Sequence, residues 1–126
     1  MHLASVRSVL IAVLLATTGG GCSATLVTPA VPDQTGTSIN RIFCVATNAG
    51  TSPISVTATL LAGSGRVATS ESFPALQPGA SDQIDSFASG TGPYSCRFVV
   101  SSRTSFRGAI AATDPTGTVH ALAPAR

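Results

Sequence analysis

The chain has 126 residues, 7 basic and 5 acidic, with 3 cysteines, 12 glycines, 8 prolines and no tryptophan. That length suits one domain of ordinary size. A net charge of +2 on only 10% charged residues excludes an acidic tail, a charged coiled-coil face and a basic patch large enough for nucleic acid.

Residues 1–24 read as a cleaved, helical export signal. Arg7 supplies the charged start, and Val9 to Ala16 form a run of eight apolar residues before the small stretch Thr17 to Gly21. A membrane-spanning helix needs ~20 apolar residues, so this run is too short for a permanent anchor. A first helix of the folded domain fits poorly, because three consecutive glycines follow it. Two cuts are open. Cys22-Ser23-Ala24 places small residues where signal peptidase needs them, giving a mature chain from Thr25. Gly19-Gly20-Gly21-Cys22 resembles a bacterial lipoprotein box with glycine where a branched apolar residue is usual, and makes Cys22 a candidate lipidation site.

Either cut leaves Cys44 and Cys96 as an even pair, which in an oxidising compartment reads as a disulfide. Their separation of 52 positions, with no histidine or second cysteine nearby, lacks any zinc-site spacing, and no C-x-x-C marks a redox site.

Residues 25–37 contain Pro29, Pro32 and Gly36 among threonines and read as a flexible tether or a weakly ordered first strand. The domain proper is expected over 38–126. Arg41 to Asn48 is apolar on both parities, with Phe43 and Val45 on one and Ile42, Cys44 and Ala46 on the other. Asn48 to Pro53 is turn composition. Ile54, Val56, Ala58 and Leu60 then alternate with Ser55, Thr57 and Thr59, predicting one buried and one wet face. A hairpin at Gly63-Ser64-Gly65 leads into 66–73, and Pro78-Gly79 suits a type II turn. Weaker strand character covers 83–87. After the loop 89–93, residues 94–101, 106–113 and 118–123 complete about seven strands with no helical period outside the leader. The expected fold is an all-β antiparallel sandwich with one disulfide between strands.

Tyr94-Ser95-Cys96 resembles the immunoglobulin-type element in which a tyrosine lies two residues before the second disulfide cysteine. The segment 48–53, the hairpin strands and the Leu-x-Pro-Gly turn at 76–79 are similar to immunoglobulin-like modules of bacterial secreted and envelope proteins. The resemblance covers most of 38–124 and implies an immunoglobulin-like sandwich with Cys44 on the earlier strand and its partner across the two sheets. The tryptophan that packs on the disulfide of antibody domains is absent.

Catalytic signals are thin. His120 lies on the last strand, with Asp114 as the nearest acid in sequence, and reads as an outward strand residue. Gly63 to Ala68 matches G-x-G-x-x-A, but a dinucleotide site needs a helix to begin there, and a returning strand follows instead. Asp82 and Asp85 alone supply too few oxygens for calcium. Arg97, Arg103 and Arg107 flank Phe98 and Phe106 and form a candidate anion-binding surface, with solubilising decoration as the plain alternative.

These readings predict an exported, periplasmic or extracellular, non-catalytic module with a structural or protein-interaction role. Its expected partner is an envelope or extracellular protein, with no cofactor, no nucleic acid and membrane attachment only through Cys22. The alternative is a small secreted enzyme inhibitor or hydrolase using a loop such as 89–93.

Overall fold

The structure is a computed structural model that describes residues 23–31, 40–63, 65–88 and 93–126. The leader up to Cys22, including that cysteine, lies outside the described residues, as does most of the segment read as a tether. Eight strands are present: β1 (Ala24–Val27), β2 (Arg41–Asn48), β3 (Ile54–Ala62), β4 (Arg66–Leu76), β5 (Ser81–Phe87), β6 (Tyr94–Val100), β7 (Phe106–Thr113) and β8 (Val119–Pro124). They form two four-stranded antiparallel sheets, ordered β1-β6-β3-β4 and β5-β2-β7-β8.

Seven of these correspond to the expected strands, and the eighth is β1. Its four residues are too few to show a period, yet Leu26 sits opposite Phe98 and is buried in the core. The chain stays attached beyond it. Thr28 accepts a hydrogen bond from the Cys96 amide on its Oγ1 (2.9 Å) and donates its own amide to the Cys96 carbonyl (2.9 Å). Val31 then bridges Tyr94. Thr25 to Val31 are therefore docked on β6 rather than serving as a tether.

Alternation explains the core. Ile54, Val56, Ala58 and Leu60 of β3, Tyr94, Cys96, Phe98 and Val100 of β6, and Ile42, Cys44 and Ala46 of β2 all point between the sheets and are buried. Cys44 and Cys96 bond across this layer, with Cα atoms 5.8 Å apart. On the chain-entropy model a loop of this length contributes ~4 kcal/mol. The Phe98 and Phe106 rings pack beside the bridge at 5.0 Å between centroids. Gly108 makes room for them: a Cβ there would lie 2.6 Å from Phe106 Cζ and 2.9 Å from Phe98 Cε2.

The two seams between the sheets differ. At the β1/β8 seam, Val27 and Arg126 exchange backbone hydrogen bonds of 3.1 and 3.2 Å and tie one sheet to the other. At the opposite seam β4 overhangs β5. Its eleven residues pair only with β3, and Glu71, opposite the buried Ala58, is left exposed. Register shifts interrupt the β3/β4 ladder near Pro74 and again near Ala68.

Asn48 organises one end of the sandwich. Its fully buried side chain donates to the Ser52 carbonyl (2.8 Å) and the Leu76 carbonyl (2.9 Å), and its Oδ1 accepts from the Gly50 amide (2.8 Å). Its backbone reaches Ala80 and Gly79 across the Pro78-Gly79 turn, where Gly79 takes φ 78°, as a type II turn requires. A residue read as the start of a turn is thus the clamp between two turns.

Asn48→Ala should lower the unfolding free energy by about 2–3 kcal/mol, because it strands buried backbone carbonyls. Asn48→Asp keeps the Gly50 bond but loses both donated bonds, so it should be at least as damaging. Urea denaturation of the oxidised protein checks both; equal midpoints for wild type and Asn48→Ala would refute the clamp.

Candidate functional site

The β7–β8 turn carries the densest polar cluster among the described residues. Pro115 and Gly117 fold the chain back so that Asp114 faces β8. Its Oδ1 accepts from the Thr116 amide (2.9 Å), the Thr116 hydroxyl (2.6 Å) and the Thr118 amide (3.0 Å), while its Oδ2 lies 2.7 Å from His120 Nε2. The Thr116 hydroxyl and the imidazole beside this carboxylate hold it well below the usual carboxylate range. His120 is outward and exposed, as its strand position implies, but it is not alone. The turn that separates it from Asp114 in sequence is what joins them. The Thr116 hydroxyl is engaged with the carboxylate rather than with the imidazole, so this trio resembles a braced turn more than a nucleophile–base pair.

The arginines of the expected anion surface are dispersed. Arg97 lies on the outer face of the β1-β6-β3-β4 sheet, and Arg107 on the outer face of the other sheet. Arg103 occupies the β6–β7 turn. Arg107 is further committed to its own hairpin, donating to the carbonyls of Thr104 (3.0 Å) and Phe106 (2.7 Å). Residues 97 and 107 alternate correctly within their strands, but β6 and β7 belong to different sheets. Asp82 and Asp85 are likewise separated, pairing with the inward Ala46 and the outward Phe43.

The arginine that does gather aromatic company is Arg41, which the sequence reading passed over. It forms an ion pair with Asp85, and its guanidinium carbon lies 5.4 Å from the Phe43 ring centre and 5.2 Å from that of Phe87. The pairs Arg41/Phe87 and Phe43/Asp85 in the β2/β5 register put all four on one outer face. The available signal was the i, i+2 repeat of Arg41 and Phe43; their partners on β5 lie some forty positions away.

Around this group the outer faces of the two sheets contrast. One is rich in hydroxyls, with Thr57 bonded to Ser72 and Thr59 to Ser70, both at 3.0 Å, and carries the exposed valines Val27, Val67 and Val99 as isolated apolar side chains. The other presents Phe43, Val45, Ala109, Ala111, Val119, Leu122 and Pro124, and Phe87 and Leu122 are each 70% exposed. A separate cleft of about 420 Å³ opens at the β4/β5 seam, floored by Phe73, Pro74 and Leu76 and edged by Ser81 and Asp82. The turn segment 48–53 lies at one end of the sandwich and the 114–117 turn at the opposite end. Residues 89–92 are outside the described residues.

No protein-family model matches the chain, and no curated protein matches it. In fold it is similar to the crystal structure of Thermotoga maritima 1070, with a TM-score of 0.52 and 11% sequence identity over 81% of this chain and 91% of that one. At that identity the likeness concerns architecture only.

The depressed Asp114 carboxyl fixes a sign for acid sensitivity. Its contribution to the turn is fully present above the unfolded value of about 3.9 and is lost as pH falls below it toward the lower folded value. The Thr116 and Thr118 amide shifts should therefore titrate together, with a midpoint well under that of a free aspartate. In Asp114→Asn the same NMR titration should be flat; a midpoint near 4 in wild type would contradict the hydrogen-bonded turn.

Proposed function

We propose that the chain is an exported, non-catalytic module of the bacterial envelope or its surroundings, built as an immunoglobulin-like sandwich in the loose sense and working through contact with protein. The observation that carries this reading is the Cys44–Cys96 bond, closed between the sheets where neither sulfur is exposed. A small domain that relies on such a bond belongs in an oxidising compartment. The bond from β2 to β6 and the position of Tyr94 at the start of β6 support the immunoglobulin-like part. The strand order departs from antibody domains, because β7 adds beside β2 rather than beside β6. The apolar outer face of the β5-β2-β7-β8 sheet supports the contact role, since exposed apolar patches of this kind mark interaction surfaces.

A hydrolase remains the second reading, favoured by the His120–Asp114 pair. It requires His120→Ala to abolish a measurable esterase or peptidase activity; unchanged background turnover removes it.

Mass spectrometry of the intact protein recovered from the envelope of an exporting bacterium tests the leading proposal. The expected mass corresponds to a chain starting at Thr25, or to an acylated chain starting at Cys22, and in both cases two hydrogens are missing relative to the reduced form. A full-length reduced chain found in the cytoplasm would refute export.

A further inference from the structure

The apolar outer sheet face has a large-to-small pattern that repeats across its strands. Register places its side chains in rows: Phe87, Arg41, Thr113 and Val119; then Asp85, Phe43, Ala111 and Leu122; then Gln83, Val45, Ala109 and Pro124. Strand β2 thus offers the large residues Phe43 and Val45, and its neighbour β7 offers Ala111 and Ala109 at the same levels. On the opposite, core-facing side β2 and β7 are also apolar, through Ile42, Cys44, Ala46, Ile110 and Ala112. Strands apolar on both faces belong to sheets covered on both faces. Among the described residues only the core-facing side is covered.

The geometry points to a second copy of the same chain as the missing cover, and this rests on the reading of that face as a contact surface. A two-fold axis running along the strands between β2 and β7 lays β2 of one copy over β7 of the other. Phe43 then meets Ala111 and Val45 meets Ala109, in both directions at once, which is the large-on-small interdigitation that packed sheets use. The outer strands follow: Phe87 of β5 falls over Val119 of β8.

Charge agrees with this arrangement. Arg41 and Asp85 neutralise each other within one copy. Arg107 of the same face pairs in register with Thr47, so the axis brings Thr47 over it rather than another arginine. No like charges are opposed. A strongly anionic or cationic partner would find little on this face to answer its charge. Area sets the strength. Four strands at ~4.8 Å spacing and seven residues at ~3.4 Å rise give a footprint of roughly 450 Å² per copy, short of the ~800 Å² per partner of a standard interface. The proposed dimer is therefore a weak, concentration-dependent one.

Sedimentation equilibrium on the exported, oxidised protein over a range from about 1 µM to about 1 mM tests the inference. Wild type should pass from monomer to dimer and stop there. Phe43→Lys and Ala111→Glu, made separately, should each weaken self-association at least about tenfold, while circular dichroism and the urea midpoint show both still folded. Mixing the two variants should restore a heterodimer, since the lysine of one copy meets the glutamate of the other. If Phe43→Lys fails to fold, Ala111→Glu and Leu122→Glu, the second set against Asp85 of the other copy, replace the pair as two independent losses. Wild type that remains monomeric throughout overturns the inference, as does a dimer indifferent to these substitutions. If wild type is monomeric but a photo-crosslinker at Ala111 joins it to a different envelope protein, self-association is refuted while the contact role of the face stands.

Discussion

The two sheets of this sandwich are held at their centre by one covalent contact, and much of the remaining architecture is arranged around it. Cys44 and Cys96 fill the middle of β2 and β6 and bring those strands to one fixed separation. One step along from the bridge, Ala46 and its register partner Gly108 are small, and Gly108 leaves the volume that Phe98 and Phe106 occupy. A sandwich of this size buries a modest core, so a cross-link that limits the unfolded ensemble accounts for a large part of its stability. The Thr28 hydroxyl and amide, just after β1, bond the backbone of the same cysteine and extend the β1/β6 ladder.

Away from the bridge, stability is delegated to polar residues at the ends. Asn48 satisfies three backbone groups from two turns while completely buried, a fully paired polar centre that specifies how β2, β3 and β4 meet. Asp114 performs a related task at the opposite end, in solvent, by gathering the amides and hydroxyl of its own turn. The two ends thus tolerate change differently. The Asn48 end is sealed by burial, and the Asp114 end depends on a charge.

Period two made the inner faces of β2, β3 and β6 readable, because alternation depends only on neighbours in sequence. The pairing of the cysteines was readable by arithmetic. What escaped depends on contacts between distant positions. β1 has too few residues to display a pattern and owes its order to the edge of β6. The Arg97 and Arg107 grouping failed because strands joined by a short turn were assumed to share a sheet, whereas here the chain crosses from one layer to the other between β6 and β7. The opposite error hid the His120–Asp114 bond: six positions apart looked distant, yet a tight turn and the register shift at Ala112/Thr113 close the gap. The apolar outer parity of β2 was visible from the start. Which outer face would carry it, and that β7 would match it with alanines, needed the strand order.

The overhanging strand β4 has a meaning for how copies of this protein can meet. A long bare edge normally invites strand after strand to add without end. Here Pro74, the two breaks in register and the exposed charge of Glu71 spoil that edge as a template. The opposite seam is tied shut by Val27 and Arg126. The proposed dimer uses the broad face instead, and a face that stacks about a two-fold axis is used up by a single partner. A dimer of that kind ends its own assembly.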